Sequence, residues 1–145
     1  MGDVPYNYLY TGRSNLPDRS TDVGPIYVAD QFSFETMVNN EFLSDEYVHF
    51  FFRQNLQGRL LKIKNWAPDI ELLFRALWGR LSNAERHRGI PFSVPDQGFY
   101  ETGMEINKIF SSFGVGAYYR FGPYHSANMD DNWSIKLSYR YTFFN

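Results

Sequence analysis

The stretch that decides the fold is Trp133-Ser134-Ile135-Lys136-Leu137-Ser138-Tyr139-Arg140-Tyr141-Thr142-Phe143, close to the end of the 145-residue chain. Its odd-numbered positions are apolar or aromatic, and its even-numbered positions carry hydroxyl or basic side chains. A helix would scatter these two sets around its axis, whereas an extended strand places them on opposite faces. The stretch therefore predicts a long β-strand with one apolar and one polar face.

Five further segments alternate in the same way, and we predict a strand for each. The segment that begins at Phe34 alternates least regularly. In the segment Glu71–Trp78, Leu73 and Leu77 interrupt the polar face. This pattern would also suit a buried helix, but the neighbouring segments are strands and favour a strand here as well. The five segments are Phe34–Phe42, Val48–Leu56, Glu71–Trp78, Tyr100–Asn107 and Gly114–Phe121.

The remaining segments divide into a lead-in and several connections. Residues 1–33 contain three prolines and a loop signal at Asn15–Ser20, and predict an irregular lead-in to the strands of residues 34–145. Short strands at Tyr6–Tyr10 and Ile26–Ala29 are the regular elements it could hold. Two connections are long and polar, Asn83–Gln97 and Pro123–Asn132, and one is short, Lys108–Ser112. The connection Gly58–Pro68 is basic and apolar, which suits a short helical or interfacial piece.

Composition removes several classes of function. With 14 Lys and Arg against 16 Asp and Glu, the chain lacks the basic character of a nucleic-acid-binding protein. It has no Cys, which excludes disulfides, thiolate metal sites and a Cys nucleophile. No apolar run approaches the ~18 residues of a membrane-spanning helix, and the N-terminus lacks the pattern of a signal peptide.

Strand length favours a membrane barrel over a soluble sandwich or barrel. Soluble strands usually run about 5–6 residues, whereas a tilted strand needs about 9–11 residues to cross a bilayer. The apolar faces carry aromatic residues near the strand ends, as the aromatic girdles at the two membrane interfaces do. These aromatic residues are Trp78, Tyr100, Phe121, Trp133 and Phe143.

The polar faces carry acids and bases in equal number. In a barrel these side chains would line a polar lumen and pair there, with Leu137 and Phe50 facing lipid and Lys136 and Arg53 facing the lumen. In a sandwich they would form an ordinary solvated face. The set comprises Glu35, Glu41, Glu71, Glu101, Glu105, Arg53, Arg75, Arg120, Lys136 and Arg140.

The end of the chain adds an assembly signal. Tyr139, Tyr141 and Phe143 lie two residues apart, and only Phe144 and Asn145 follow. Outer-membrane barrels commonly end in such an alternating aromatic strand. We therefore expect this strand to close the barrel and to bind the barrel-assembly machinery.

Four stretches of the sequence resemble a known family. They are similar to the C-terminal end of the large outer-membrane proteins that contain a carboxypeptidase-like regulatory domain. The stretches are Gly2-Asp3-Val4-Pro5-Tyr6, Phe34-Glu35-Thr36-Met37 with Glu41-Phe42-Leu43-Ser44-Asp45-Glu46-Tyr47-Val48, Ala76-Leu77-Trp78-Gly79 with Leu81-Ser82, and Tyr100-Glu101-Thr102-Gly103-Met104-Glu105-Ile106-Asn107-Lys108-Ile109-Phe110.

The resemblance covers nearly the whole chain and implies a structural role. In that family a small non-catalytic β-sandwich precedes a long barrel domain of unknown function, so the family name implies no peptidase activity. The resemblance also implies the outer membrane of a Gram-negative cell. Six strands fall short of the eight of the smallest single-chain barrels. Either residues 1–33 supply two more strands, or the first and last strands pair with a missing N-terminal part of the same protein. We favour the second, with these residues as the C-terminal part of a larger barrel.

No motif indicates catalysis, a cofactor or a metal. His49, His87 and His125 lack metal-ligand spacing, and Asp130-Asp131 lacks the surroundings of a calcium loop. Glu101 and Glu105 share a strand face but lie about 13 Å apart, too far for a glycosidase pair. Gly114-Val115-Gly116 precedes no helix and is not a nucleotide motif.

The sequence therefore predicts an all-β protein: about six long antiparallel strands of an outer-membrane β-barrel. We expect no enzyme activity, and a transport, export or envelope-structural role among outer-membrane lipid. The alternative is a soluble β-barrel that binds an apolar small molecule, with the aromatic face pointing inward.

Overall fold

A computed structural model describes residues 5–16, 28–56, 67–87, 89, 91–110 and 112–139. It contains seven β-strands and three short 3-10 helices in these ranges. The strands are β1 (Ser14–Leu16), β2 (Phe34–Val38), β3 (Glu46–Asn55), β4 (Asp69–Arg80), β5 (Phe99–Phe110), β6 (Phe113–Phe121) and β7 (Trp133–Tyr139). The 3-10 helices are Tyr6–Tyr8, Ala84–Arg86 and Met129–Asn132.

The main element is a five-stranded antiparallel sheet in the order β3-β4-β5-β6-β7. Neighbours in the sheet are also neighbours in the chain, so the strands run up and down in a meander. This confirms the strands predicted from period-two alternation at these five places, including the one that could have been a helix. Arg140, Tyr141 and Phe143, in the last part of the predicted final strand, lie outside the described residues.

The sheet has two ends that differ in their connections. Residues 81–98 join β4 to β5, and residues 122–132 join β6 to β7, at what we call the loop end. The tight β5–β6 connection lies at the opposite end, which we call the turn end. Most of the basic and apolar piece predicted at Gly58–Pro68 lies outside the described residues.

The prediction that Phe34–Phe42 forms a sixth strand of the same sheet is wrong. The strand there is shorter, Phe34–Val38, and it pairs in parallel with β1 to form a separate two-stranded sheet. Four of its five residues are buried and the fifth is half-buried, because β2 is covered on both sides. A strand buried on both faces has no reason to alternate, whereas a strand in a barrel wall with one face in lipid does, so the weak alternation of this segment fits its buried position.

The lead-in differs from its prediction in two places. Tyr6–Tyr8 is a 3-10 turn instead of part of a strand, and Ser14–Leu16 is a strand where Asn15–Ser20 predicted a loop. From the predicted Ile26–Ala29 strand, Val28 forms an isolated bridge with Leu137 of β7.

Residues 28–44, which we call the covering segment, lie over one face of the five-stranded sheet. Contacts from this segment reach all four strands from β4 to β7. We call the covered face of the sheet the inner face, and the opposite face the outer face. β3 and β7 are the two edges of the sheet and are not paired with each other within the described ranges.

Candidate functional site: the charged inner face and the apolar outer face

The inner face of the sheet buries ionisable side chains in unusual number. In soluble proteins Lys, Glu, Arg and Asp are almost never fully buried unless they are paired. Here the sheet buries six, and the covering segment adds Glu35, which has no exposed surface. The six are Glu71, Arg75, Glu101, Glu105, Arg120 and Lys136.

The strand register places opposite charges side by side. Arg75 on β4 lies directly opposite Glu101 on β5, and Glu101 lies directly opposite Arg120 on β6. Opposite charges at directly paired positions of a sheet attract each other. Arg75 Nη1 donates to Glu101 Oε1 at 2.9 Å, so these two residues form an ion pair, whereas Arg120 pairs with Glu41 of the covering segment.

The covering segment completes this central group. Glu35 of β2 accepts from Lys136 Nζ at 2.7 Å and lies 3.5 Å from Arg75 Nη1. The backbone N–H and the hydroxyl of Thr36 both donate to Glu101 Oε2 at 2.7 Å. The buried charges are therefore both paired and hydrogen-bonded, as burial in a low-dielectric interior requires.

A second ionic group lies nearer the turn end. Arg53 of β3 donates to Glu71 at 2.9 Å and to Glu105 at 3.4 Å. Glu71 and Glu105 are directly opposite each other on neighbouring strands, where like charges repel. Arg53 lies between the two carboxylates and offsets that repulsion.

Tyr118 lies flat on the inner face because two glycines make room for its ring. A Cβ at Gly103 would meet Tyr118 Cδ1 at 2.5 Å, and a Cβ at Gly116 would meet its hydroxyl at 2.5 Å. The Tyr118 hydroxyl donates to Glu105 Oε1 at 2.8 Å, and the Arg75 guanidinium stacks over the ring at 5.3 Å. The ring thus joins the two ionic groups.

An apolar cluster occupies the loop end of the inner face. Phe34, Met37 and Phe42 of the covering segment pack there on Leu77 of β4 and Phe99 of β5. Sequence reasoning missed this cluster, because it assigned the face of Leu77 and Met37 to polar side chains. The signal that could have found it was the interruption of the polar pattern at Leu77.

The outer face is apolar and exposed. Ile135 is 72% exposed, and other large apolar side chains on the five strands of the sheet are 37–59% exposed. They include Val48, Phe50 and Phe52 on β3, Leu72 and Trp78 on β4, Met104 on β5, Val115 on β6 and Leu137 on β7. The sheet is therefore inverted relative to one folded in water, with charge inside and apolar surface outside.

Aromatic residues form a row across the outer face near the loop end. Trp78 contacts Tyr100 with ring centroids 5.4 Å apart, and Tyr100 stacks on Phe121 at 5.7 Å. Tyr119 and Trp133 continue the row at 4.6 Å. At the turn end a shorter row contains Phe113 and Tyr139, 5.2 Å apart, and the exposed Phe110.

Two loops at the loop end are held together by Tyr124. Its hydroxyl donates to the carbonyl of Val94 or to Asp96 Oδ1, at 2.5 and 2.6 Å. Burial, together with the hydrogen bond to the Asp96 carboxylate, raises the pKa of Tyr124 above its usual value. The Arg120 guanidinium in turn donates to the Tyr124 carbonyl, which links this loop to the inner face.

The histidines considered for metal binding serve local contacts. His49 Nδ1 lies 3.1 Å from the Tyr10 hydroxyl, and His125 Nε2 lies 3.0 Å from the Tyr119 hydroxyl. His87 packs edge-on against Phe92. Across the described ranges, no group of three or more His, Cys, Asp or Glu side chains is placed to hold a metal ion.

Two other candidate pairs also have local partners. Asp131 accepts from the Ser126 hydroxyl at 3.2 Å. Glu101 and Glu105 contact different partners, Arg75 and Arg53 respectively, instead of acting as a pair.

Comparison with protein-family models, with curated proteins and with solved structures finds no match to this chain. None of the helices in the described ranges has the length and apolar character needed to cross a membrane.

Proposed function

We propose that this chain forms part of the wall of an outer-membrane β-barrel, with the covering segment in the barrel interior. The observation that carries the proposal is the inversion of the sheet. Lys136 is 1% exposed, whereas its neighbour Ile135 is 72% exposed. A protein surrounded by lipid has this arrangement, because its outward side chains meet hydrocarbon and its polar side chains line the interior.

Strand length supports the same proposal. β3, β4, β5 and β6 contain 10, 12, 12 and 9 residues, close to the 9–11 residues that a tilted strand needs to cross a bilayer. From Phe113 to Phe121 the aromatic rows lie about 27 Å apart along β6, or about 20 Å after a tilt of ~40°. Outer-membrane barrels carry an apolar band about 25 Å tall between their aromatic girdles.

The partners follow from the edges of the sheet. Unpaired backbone groups in hydrocarbon cost several kcal/mol each, so β3 and β7 need further strands beside them. We propose that these come from an N-terminal part of the same protein, as the family resemblance implies. We also retain the proposal that the final strand, with Tyr141 and Phe143, binds the barrel-assembly machinery.

The covering segment favours an envelope-structural or gated role over an open pore. Its side chains pair with the buried charges of β4 to β7, and a cavity between Asp30, Arg53 and Glu105 measures about 20 Å³. That volume holds roughly one water molecule. Transport or export through this region would require the covering segment to move.

The soluble alternative lacks such support. A soluble barrel that binds an apolar molecule needs its aromatic face inside. Phe50, Ile135 and Leu137 are instead exposed.

Fluorescence quenching in lipid vesicles tests the proposal. Because the chain has no Cys, single cysteines can be introduced by Ile135→Cys, Met104→Cys and the loop variant Ala127→Cys, and labelled with a bimane dye. We expect lipids brominated in their acyl chains to quench the dye at positions 135 and 104 but not at the control position 127. Equal quenching at all three positions, or a protein that is monodisperse in water without detergent, would overturn the proposal.

A further inference from the structure

The ionic partners at the loop end and centre of the inner face divide unevenly between the sheet and the covering segment. From the sheet come three cations, Arg75, Arg120 and Lys136, and one carboxylate, Glu101. The covering segment supplies two carboxylates, Glu35 and Glu41, to the same cations. Without these two carboxylates, this part of the inner face carries a surplus of positive charge.

The Glu35 carboxylate is surrounded as a bound anion is. Its Oε2 accepts from Lys136 Nζ and from Asn15 Nδ2, both at 2.7 Å. Its Oε1 accepts from the Asp30 backbone N–H at 2.8 Å and the Ser33 hydroxyl at 3.2 Å, and faces Arg75. Charge-assisted hydrogen bonds of this kind are the strong ones. Lys136 and Arg75 are the donors that belong to the sheet, whereas Asp30 and Ser33 belong to the covering segment itself.

A second carboxylate binds in the fork of Arg120. Both terminal nitrogens of this guanidinium donate to Glu41, one to each carboxylate oxygen, with Nη1 at 3.3 Å from Oε2. The guanidinium is stacked over the Phe99 ring at 5.0 Å and donates to the Tyr124 carbonyl. Arg120 is thus oriented by the sheet and its loop, independently of the carboxylate that it binds.

The covering segment is attached to the sheet mainly by side chains. The strand partner of β2 is β1, and the five-stranded ladder is complete without either of them. One backbone hydrogen bond joins Ala29 N–H to the Leu137 carbonyl, and two more join Leu43 N–H and the Glu41 carbonyl to Ser93 of the β4–β5 loop. The side chains of Phe34 and Met37 add apolar contact with Leu77 and Phe99. The cations therefore belong to a frame that does not depend on the segment for its hydrogen bonding.

We propose that Arg75 with Lys136, and Arg120 beside them on the sheet, bind small oxyanions, such as phosphate, and that Glu35 and Glu41 of the covering segment are the respective built-in ligands. The segment then acts as a displaceable occupant of the site. The inference rests on the proposed function, because that function places the anion-binding residues in the lumen of a barrel. A barrel selects its solute in such an interior.

The test uses the double variant Glu35→Gln/Glu41→Gln, folded in non-ionic detergent micelles. Inorganic phosphate is titrated while sodium chloride keeps the ionic strength constant, and the melting temperature is followed. A ligand that binds the folded state raises the melting temperature in proportion to the logarithm of its concentration above Kd. We expect phosphate to bind the double variant at least about tenfold more tightly than the wild-type chain.

Two matched variants separate the site from general charge effects. Glu46→Gln removes an exposed carboxylate that pairs with Arg80 at the surface, and should leave the phosphate response at the wild-type level. Lys136→Gln, added to the double variant, should abolish the increase in phosphate affinity. A double variant that melts cooperatively without a phosphate-specific shift overturns the inference.

A second measurement on the otherwise wild-type chain decides the case if the double variant does not fold. A spin label at Phe32→Cys, an exposed position of the covering segment, reports the mobility of that segment. Phosphate should increase its mobility more than chloride does at equal ionic strength. If phosphate has no such effect, the inference fails.

The outcome is independent of the membrane test. A chain that proves soluble without detergent defeats the proposed function, yet the titration can then be performed in water and still finds or fails to find the anion site. A chain that enters vesicles but shows no phosphate response defeats the anion site alone.

Discussion

The two faces of β7 make opposite demands on their surroundings. Ser134, Lys136 and Ser138 point to the inner face and are buried, whereas Ile135 and Leu137 point outward and are exposed. The inner side chains need specific partners, because each buried charge must meet its counter-charge. The outer side chains are apolar and, under the proposed function, meet only a nonpolar solvent. Substitutions should therefore act through partners on one face and through the surrounding medium on the other.

Removing Arg75 should give the largest effect. Arg75→Met leaves the buried carboxylates of Glu35 and Glu101 without this guanidinium, and breaking a buried ion pair typically costs about 3–5 kcal/mol. We expect a loss of this size in the free energy of unfolding, measured by urea titration in lipid vesicles.

Arg80→Met is the matched control for the Arg75 variant. Arg80 pairs with Glu46 at 3.0 Å, but both side chains are largely exposed, and such pairs contribute about 0–1 kcal/mol. Equal losses for the two variants would mean that the inner face is hydrated and that the contrast between the faces is false.

An arginine on the outer face should give the next largest effect. Leu137→Arg places a charge near the middle of the apolar band, where outer-membrane barrels lose about 2–4 kcal/mol. We expect a loss in this range for unfolding from vesicles, and almost none for the loop control Ala127→Arg. A negligible loss for Leu137→Arg would place the outer face in water, since Leu137 is already exposed.

Alternation predicted the sheet well because a ladder imposes its period on the sequence. In β7 each residue faces either the inner or the outer side, so burial requirements repeat every two residues from Trp133 to Tyr139. The same pattern correctly placed Lys136 and Arg53 on the face opposite Leu137. The partners of Lys136 were not predictable, because Glu35 is 101 residues away and no local pattern specifies that contact.

The covering segment was predicted poorly for a related reason. Glu35 and Met37 stand two residues apart in β2, yet one joins the ionic group and the other the apolar cluster. Both are buried, so β2 has no solvated face to create an alternating pattern. A polar substitution at Lys136 should be costly, although Lys136 lies on the polar face, since its ammonium is fully buried.

Glycine packing under Tyr118 gives an intermediate effect. Gly103→Ala puts a Cβ 2.5 Å from Tyr118 Cδ1, and overpacking of this kind typically costs about 1–3 kcal/mol. The expected loss is in the urea unfolding free energy. In a Tyr118→Ala background the added methyl has space, so the same substitution should cost much less, and a double-mutant cycle measures the difference. Additive losses would show that the ring does not lie over Gly103.

The smallest expected effect is at the Tyr124 hydroxyl, which joins the two loops at the loop end. Tyr124→Phe removes one hydrogen bond to Val94 or Asp96, for a loss of about 0.5–1.5 kcal/mol. Burial and the Asp96 carboxylate raise the pKa of Tyr124, so the folded protein retains this proton at a pH where the unfolded chain has lost it. Its contribution to stability is therefore complete below pH about 10 and disappears as the pH rises through the folded pKa.

The comparison between wild type and Tyr124→Phe isolates this contribution, because the other tyrosines titrate in both proteins. The difference in unfolding free energy should be constant from neutral pH to about pH 9 and then decrease toward zero. A difference that grows with pH would mean that the phenolate is stabilised in the folded loop, contrary to its place beside Asp96. Such a result would leave both faces of the sheet as described and change only how the loops above it are held.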